Sequence, residues 1–125
     1  MAEPNRPLSP HLQIYKFEIT MAMSIVHRIT GVGLYFGTAL MAWWFAAAAM
    51  GDGAFDVAQG FFNHWFGRLI LLGYTWALFH HMLGGLRHFV WDLGNGYGKE
   101  RYTYGWATLI GGVVLTALLW FFVLV

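Results

Sequence analysis

The chain has 125 residues, 58% of them hydrophobic and only 10% charged, with a mean hydropathy of +0.54. Globular domains run at about 45–50% apolar and about 25% charged, so a water-soluble fold of this composition lacks the polar side chains to cover its surface. A net charge of +1 gives no broad basic face for nucleic acid, and the absence of cysteine excludes disulfides and thiolate-held zinc or iron–sulfur clusters within the chain.

The N-terminal segment, MAEPNRPLSPHLQIYKFE, holds three prolines and charges of both signs. It lacks the basic stretch followed by an apolar stretch that marks a signal peptide, and its acids, Glu3 and Glu18, argue against a transit peptide. Residues 1–22 are therefore expected to be a mature interfacial segment on the side of synthesis. That expectation favours a bacterial inner membrane over a mitochondrial one.

A helix needs about 20 apolar residues to cross the hydrocarbon core. Three stretches qualify, at about 23–50, 61–93 and 105–125, and the chain is predicted to be an all-α membrane protein with three transmembrane helices. The first has a single charged side chain, Arg28, near its start. The second is interrupted by Arg68, Arg87 and histidines, and the third has no charge. The connector Gly51–Gly60 is short and acidic, and Gly94–Tyr104 carries glycine turns and the Lys99–Glu100–Arg101 cluster.

Lys and Arg concentrate in cytoplasmic loops. With three spans, Arg6, Lys16, Lys99 and Arg101 share one side, and Asp52 and Asp56 fall on the other. This predicts N-terminus inside and C-terminus outside. Trp43, Trp44, Trp65, Trp91 and Trp106 stand near span ends, as interfacial aromatic belts do.

Ionisable groups inside a membrane are costly and mark functional sites by default. Ser24, His27 and Arg28 open the first span; His81, Arg87, His88 and Asp92 run from the middle of the second to its cytoplasmic end. Antiparallel neighbours would bring both groups to one depth. His81 and His88 are seven residues apart and share a helical face, with Gly84 and Gly85 between them. The eleven residues from His81 to Asp92 rise roughly 16 Å, about half the hydrocarbon thickness, which puts His81 near the midplane.

A midplane imidazole beside glycines suits axial ligation of haem iron, and Arg28, Arg87, His27 and His88 are cations or potential cations closer to the surface for its propionates. On spacing alone the alternative stands that His81 hydrogen-bonds a neighbouring helix. His80 points roughly 100° away from it. Ser24 and Arg28, four apart on one face, suit a quinone carbonyl, or else snorkel and start the helix. Arg68 is assigned to snorkelling, His64 and His11 to the surface, and Gly31, Gly33 and Gly37 to a close helix contact.

Three segments together carry a family resemblance: RPLSPHLQIYK, SIVHRITG at Ser24–Gly31, and HMLGGLRHFVWD at His81–Asp92. The chain resembles the cytochrome b subunit of succinate dehydrogenase, respiratory complex II, over nearly its whole length. The resemblance implies a membrane anchor of succinate:ubiquinone oxidoreductase, non-catalytic alone. It implies as partners a second small anchor, an iron–sulfur subunit and a flavoprotein. It also implies one haem b shared with that second anchor, and ubiquinone as substrate, carrying electrons of the tricarboxylic acid cycle into the respiratory chain. His81 takes the place of the family's axial ligand; Ser24 and Arg28 take those of its quinone pocket. His27, Arg28 and His88 match groups around the propionates, and Arg87 and Asp92 support the pocket. Alternatives are the anchor of a quinol:fumarate reductase, a small transporter or proton-conducting protein, and a purely structural assembly subunit.

Overall fold

A computed structural model of the chain describes residues 7–124. Arg6, counted above among the basic charges, and Val125, the end of the third expected span, lie outside these residues. Four helices follow in order: α1 (Ile19–Met50), α2 (Asp52–Asn63), α3 (Trp65–Asp92) and α4 (Glu100–Leu124). Three of them, over Ile19–Met50, Trp65–Asp92 and Glu100–Val123, are long and apolar enough to cross a membrane. No strand occurs among the described residues.

The acidic connector expected as a loop is mostly helical. Its apolar residues recur at helical spacing, and Ala58 and Phe62 are buried against the bundle. Gly51, at φ 103°, separates α1 from α2 in a backbone conformation that only glycine adopts readily. Trp44 Nε1 donates to Gln59 Oε1 at 3.0 Å and ties α2 back to α1. Because α2 claims Phe61–Asn63, the second span starts at Trp65, four residues later than the apolar run suggests. His64 marks the break, in extended conformation, and its ring accepts from Phe66 N–H.

The spans pack antiparallel in sequence, with α3 between the other two. The reason is written in α3 as two stripes, each stepping by three and four residues. Gly67, Ile70, Tyr74, Ala77, His81 and Gly84 form the first; Trp76, His80, Leu83, Arg87 and Val90 form the second, and all are buried or half-buried. The first stripe meets its counterpart on α1, which runs Met23, His27, Thr30, Leu34, Gly37, Met41 and Trp44. The second meets Thr108, Gly111 and Gly112 of α4. Without a hydrophobic drive between helices in lipid, small residues let the backbones approach. A Cβ on Gly37 would overlap the Tyr74 ring, and one on Gly112 would stand 3.3 Å from His80 Cα.

The turn after α3 is a Schellman motif. Asn95 N–H donates to Val90 O and Gly94 N–H to Trp91 O, with Gly94 at φ 78°. The chain then re-enters α4 beside the start of α1, where Tyr102 donates its phenolic proton to Glu18 at 2.6 Å.

Candidate functional site: the histidine face of α1 and α3

Consecutive histidines of α3 go to different helices. His80 is 1% exposed, stacks on Trp76 with centroids 5.3 Å apart, and packs against Gly112 of α4. His81 turns towards α1 and is only half-buried.

His81 meets α1 in a reciprocal fit. Gly31 of α1 leaves room for the His81 ring, to which a Cβ there would come within 3.1 Å. Gly84 of α3 leaves room for the His27 ring, 2.5 Å from where its own Cβ would be. The two imidazoles then lie face to face, with centroids 3.8 Å apart and planes 7° from parallel. His88 stands one turn or two beyond, its centroid 5.5 Å from that of His27.

The hydrogen bonds of His81 determine its tautomer. Nδ1 lies 3.1 Å from the backbone oxygen of His27. A carbonyl oxygen only accepts, so the contact assigns the proton to Nδ1, and in the neutral ring Nε2 then keeps its lone pair. Nε2 has no hydrogen-bond partner among the described residues and is not among the buried unpaired atoms. Thr30, 2% exposed and unassigned by the sequence reading, completes the contact with Oγ1 3.3 Å from Nδ1.

Towards the end of the bundle marked by Asp92, a groove of about 400 Å³ opens between α1 and α3. It is lined by Thr20, Met21, Ser24, Ile25, Arg28, Arg87, His88 and Trp91. Four residues singled out from the sequence, Ser24, Arg28, Arg87 and His88, thus share one surface. Ser24 and Arg28 are exposed on it, and Arg28 Nε donates to the backbone oxygen of Ser24 at 3.4 Å. Met21 and Ile25 add apolar wall, and Trp91, read from sequence only as an interfacial aromatic, adds a ring. Asp92 ends α3 as an exposed residue outside the groove lining.

Several polar atoms at this face have no partner in the chain. His27 Nδ1, Arg87 Nε and Arg87 Nη1 are buried without a hydrogen bond. Arg87 is 6% exposed, and its guanidinium lies 4.9 Å from the centroid of Trp91. Buried donors left alone cost about 1–3 kcal/mol each, and more when charged. Among the described residues no three His, Asp or Glu side chains converge on a metal position, so this is not a self-contained metal site.

Such an arrangement defines a multi-span membrane subunit with an imidazole and guanidinium face turned to the outside of its own bundle. The chain belongs to the family described as succinate dehydrogenase/fumarate reductase transmembrane subunit, whose profile it matches over residues 2–124. It is 44% identical over 115 residues to the succinate dehydrogenase cytochrome b556 subunit of Paracoccus denitrificans, covering 92% of this chain and 88% of that one. It is 37% identical over 116 residues to the protein of the same name from Rickettsia felis (92% and 90% covered). Similarity extends to the mitochondrial succinate dehydrogenase cytochrome b560 subunit of Mus musculus, at 35% over 124 residues, covering 91% of this chain and 67% of that one.

Proposed function

We propose that this chain is the haem-ligating anchor of a succinate:ubiquinone oxidoreductase, with His81 as one axial ligand to haem b and Ser24 and Arg28 as its share of the quinone pocket. The observation that carries the reading is the hydrogen bond from His81 Nδ1 to the His27 carbonyl. In the neutral ring it leaves the Nε2 lone pair free, the form that binds iron.

The rest of the face fits the group. The exposed guanidinium of Arg28 and the exposed His88 ring offer donors to propionates, with the unpartnered nitrogens of His27 and Arg87 enclosed behind them. Haem b, when bound, supplies a one-electron couple close to the quinone. A second anchor subunit would cover the open face and complete the haem site. An iron–sulfur subunit and a flavoprotein dock at the end marked by Asp92, and the succinate chemistry is theirs.

At the groove the chain's own residues act on ubiquinone. Ser24 hydroxyl donates to a carbonyl oxygen, and Arg28 sets a cation beside the oxygen on which charge develops during reduction. Met21, Ile25 and Trp91 hold the ring and exclude water. His88 closes the inner side, with Arg87 behind it. The N-terminus lies inside, and the membrane is a bacterial inner membrane.

The test is the spectrum of the purified complex. His81→Ala should shift or abolish the b-type absorption band while His80→Ala retains it. An unchanged band in His81→Ala overturns the assignment.

A further inference from the structure

Five threonines inside the spans use their hydroxyls on their own helix, and one of them is different. Thr38, Thr75, Thr108 and Thr116 each donate to the carbonyl four residues back, at 2.7–2.8 Å, and their hydroxyls have no second partner among the described residues. Thr30 donates instead to the carbonyl three residues back, His27 O, at 2.9 Å. That carbonyl is the one that receives the His81 proton. The same hydroxyl oxygen lies 3.3 Å from His81 Nδ1.

One proton assignment satisfies all three groups. Thr30 Oγ1–H points at His27 O, which leaves the lone pairs of Oγ1 to accept. His81 Nδ1–H then lies between two acceptors, the His27 carbonyl at 3.1 Å and the Thr30 hydroxyl at 3.3 Å. The other tautomer would turn the Nδ1 lone pair to the His27 carbonyl oxygen, two acceptors with no proton between them. Thr30 is also held rigidly, being buried with a β-branched side chain whose rotamers are few in a helix.

We propose that Thr30 is a positioning residue for the iron ligand: its hydroxyl, with the His27 carbonyl, fixes the tautomer and ring plane of His81 and raises the donor strength of Nε2. The proposal rests on the reading of His81 as an axial ligand. A hydrogen bond accepted from the distal N–H of a ligating imidazole pushes electron density towards the metal and orients the ring. A stronger donor favours the oxidised iron. Loss of the hydroxyl should therefore raise the haem midpoint potential, and turning of the ring plane should move the electron paramagnetic resonance signal of the oxidised haem.

The experiment uses the intact complex carrying Thr30→Val, Thr30→Ser, Thr38→Val or His81→Ala. Thr30→Val keeps shape and β-branching and removes only the hydroxyl. It should retain haem, with a midpoint potential above the parent and a shifted resonance signal. Thr30→Ser keeps the hydroxyl and should return both readouts to the parent values. Thr38→Val removes an equivalent hydroxyl that touches no imidazole, and should change neither. The proposal is overturned by unmoved readouts in Thr30→Val, by an equal shift in Thr38→Val, or by readouts that stay displaced in Thr30→Ser, which marks a packing role of the Thr30 methyl group. An unaltered spectrum in His81→Ala sinks the ligand reading itself. Loss of the band there, beside an unmoved Thr30→Val, sinks the positioning role alone.

Discussion

Gly84 of α3 and the His27 ring of α1 meet so closely that a methyl group on Gly84 would stand 2.5 Å from His27 Nδ1. The absent side chain is what lets the two imidazoles stack at 3.8 Å. The next residue, Gly85, has no atom within 4 Å of its Cβ position. The two glycines of the same dipeptide are thus unlike in kind.

Alanine at the two positions should therefore act in opposite directions. Gly84→Ala forces the His27 ring away and should destabilise the assembled complex by about 2 kcal/mol, as overpacking does. Gly85→Ala meets open space and should stabilise the helix by up to about 1 kcal/mol. Thermal denaturation of the purified complex in detergent reads both. Equal effects of the two substitutions would mean that the α1–α3 contact does not depend on the His27 seat.

The groove leads to a second prediction. Arg28 and Ser24 stand exposed on it with no acidic partner among the described residues, so the Ser24 hydroxyl and the guanidinium nitrogens other than Nε are open to a carbonyl. A hydrogen bond from a charged group is worth about 1.5–3 kcal/mol, about tenfold or more in rate. Arg28→Ala should lower quinone reduction by at least that factor, and Ser24→Ala by less, while succinate oxidation with an artificial dye continues. Parallel loss of both activities would point to failed assembly and away from a quinone contact.

Much of this was legible in the sequence, for identifiable reasons. Apolar runs give the spans, because a bilayer imposes one length on all helices. Spacing places Ser24 beside Arg28, and His81 on a different side of the helix from His80, because about 3.6 residues per turn leaves no choice. Helix α2 was hidden because Gly53 and Gly60 and its two acids read as a loop, whereas the packing of Ala58 and Phe62 decides the matter. Thr30 was missed although its position is part of the SIVHRITG segment. A hydroxyl next to a charged pair looks like ordinary helix until a residue 51 positions later is brought against it.

The junction of α2 and α3 should be the least tolerant glycine position. A Cβ on Gly67 would run into the Phe61 carbonyl oxygen and stand 2.9 Å from Phe62 Cα. These are backbone atoms, fixed by the hydrogen bonds from His64 N–H to Gly60 O and Phe61 O, and no rotamer change relieves them. Gly67→Ala should cost about 3 kcal/mol, the upper end of overpacking, and lower the yield of folded chain. Gly73→Ala, with nothing within 4 Å, is the matched control on the same helix. Comparable yields and melting temperatures for the two would refute the tight junction.

Arg87 poses the sharpest choice between stability and function. It is buried, with Nε and Nη1 unpaired, and stacked 4.9 Å from the Trp91 centroid. It lines the groove that holds Ser24 and Arg28, and also a second cavity of about 190 Å³ between α3 and α4. Taking an ion out of water without a partner costs several kcal/mol, a penalty that an apolar side chain of similar volume removes. Arg87→Met should therefore leave helical content intact and the melting temperature unchanged or higher, while quinone reduction by the complex falls. Arg87→Lys should not restore turnover, since an ammonium group lacks the planar fork that can stack on Trp91 and donate at the same time. A Met variant that unfolds easily yet turns over normally would make Arg87 a packing residue, and the groove would then end at His88.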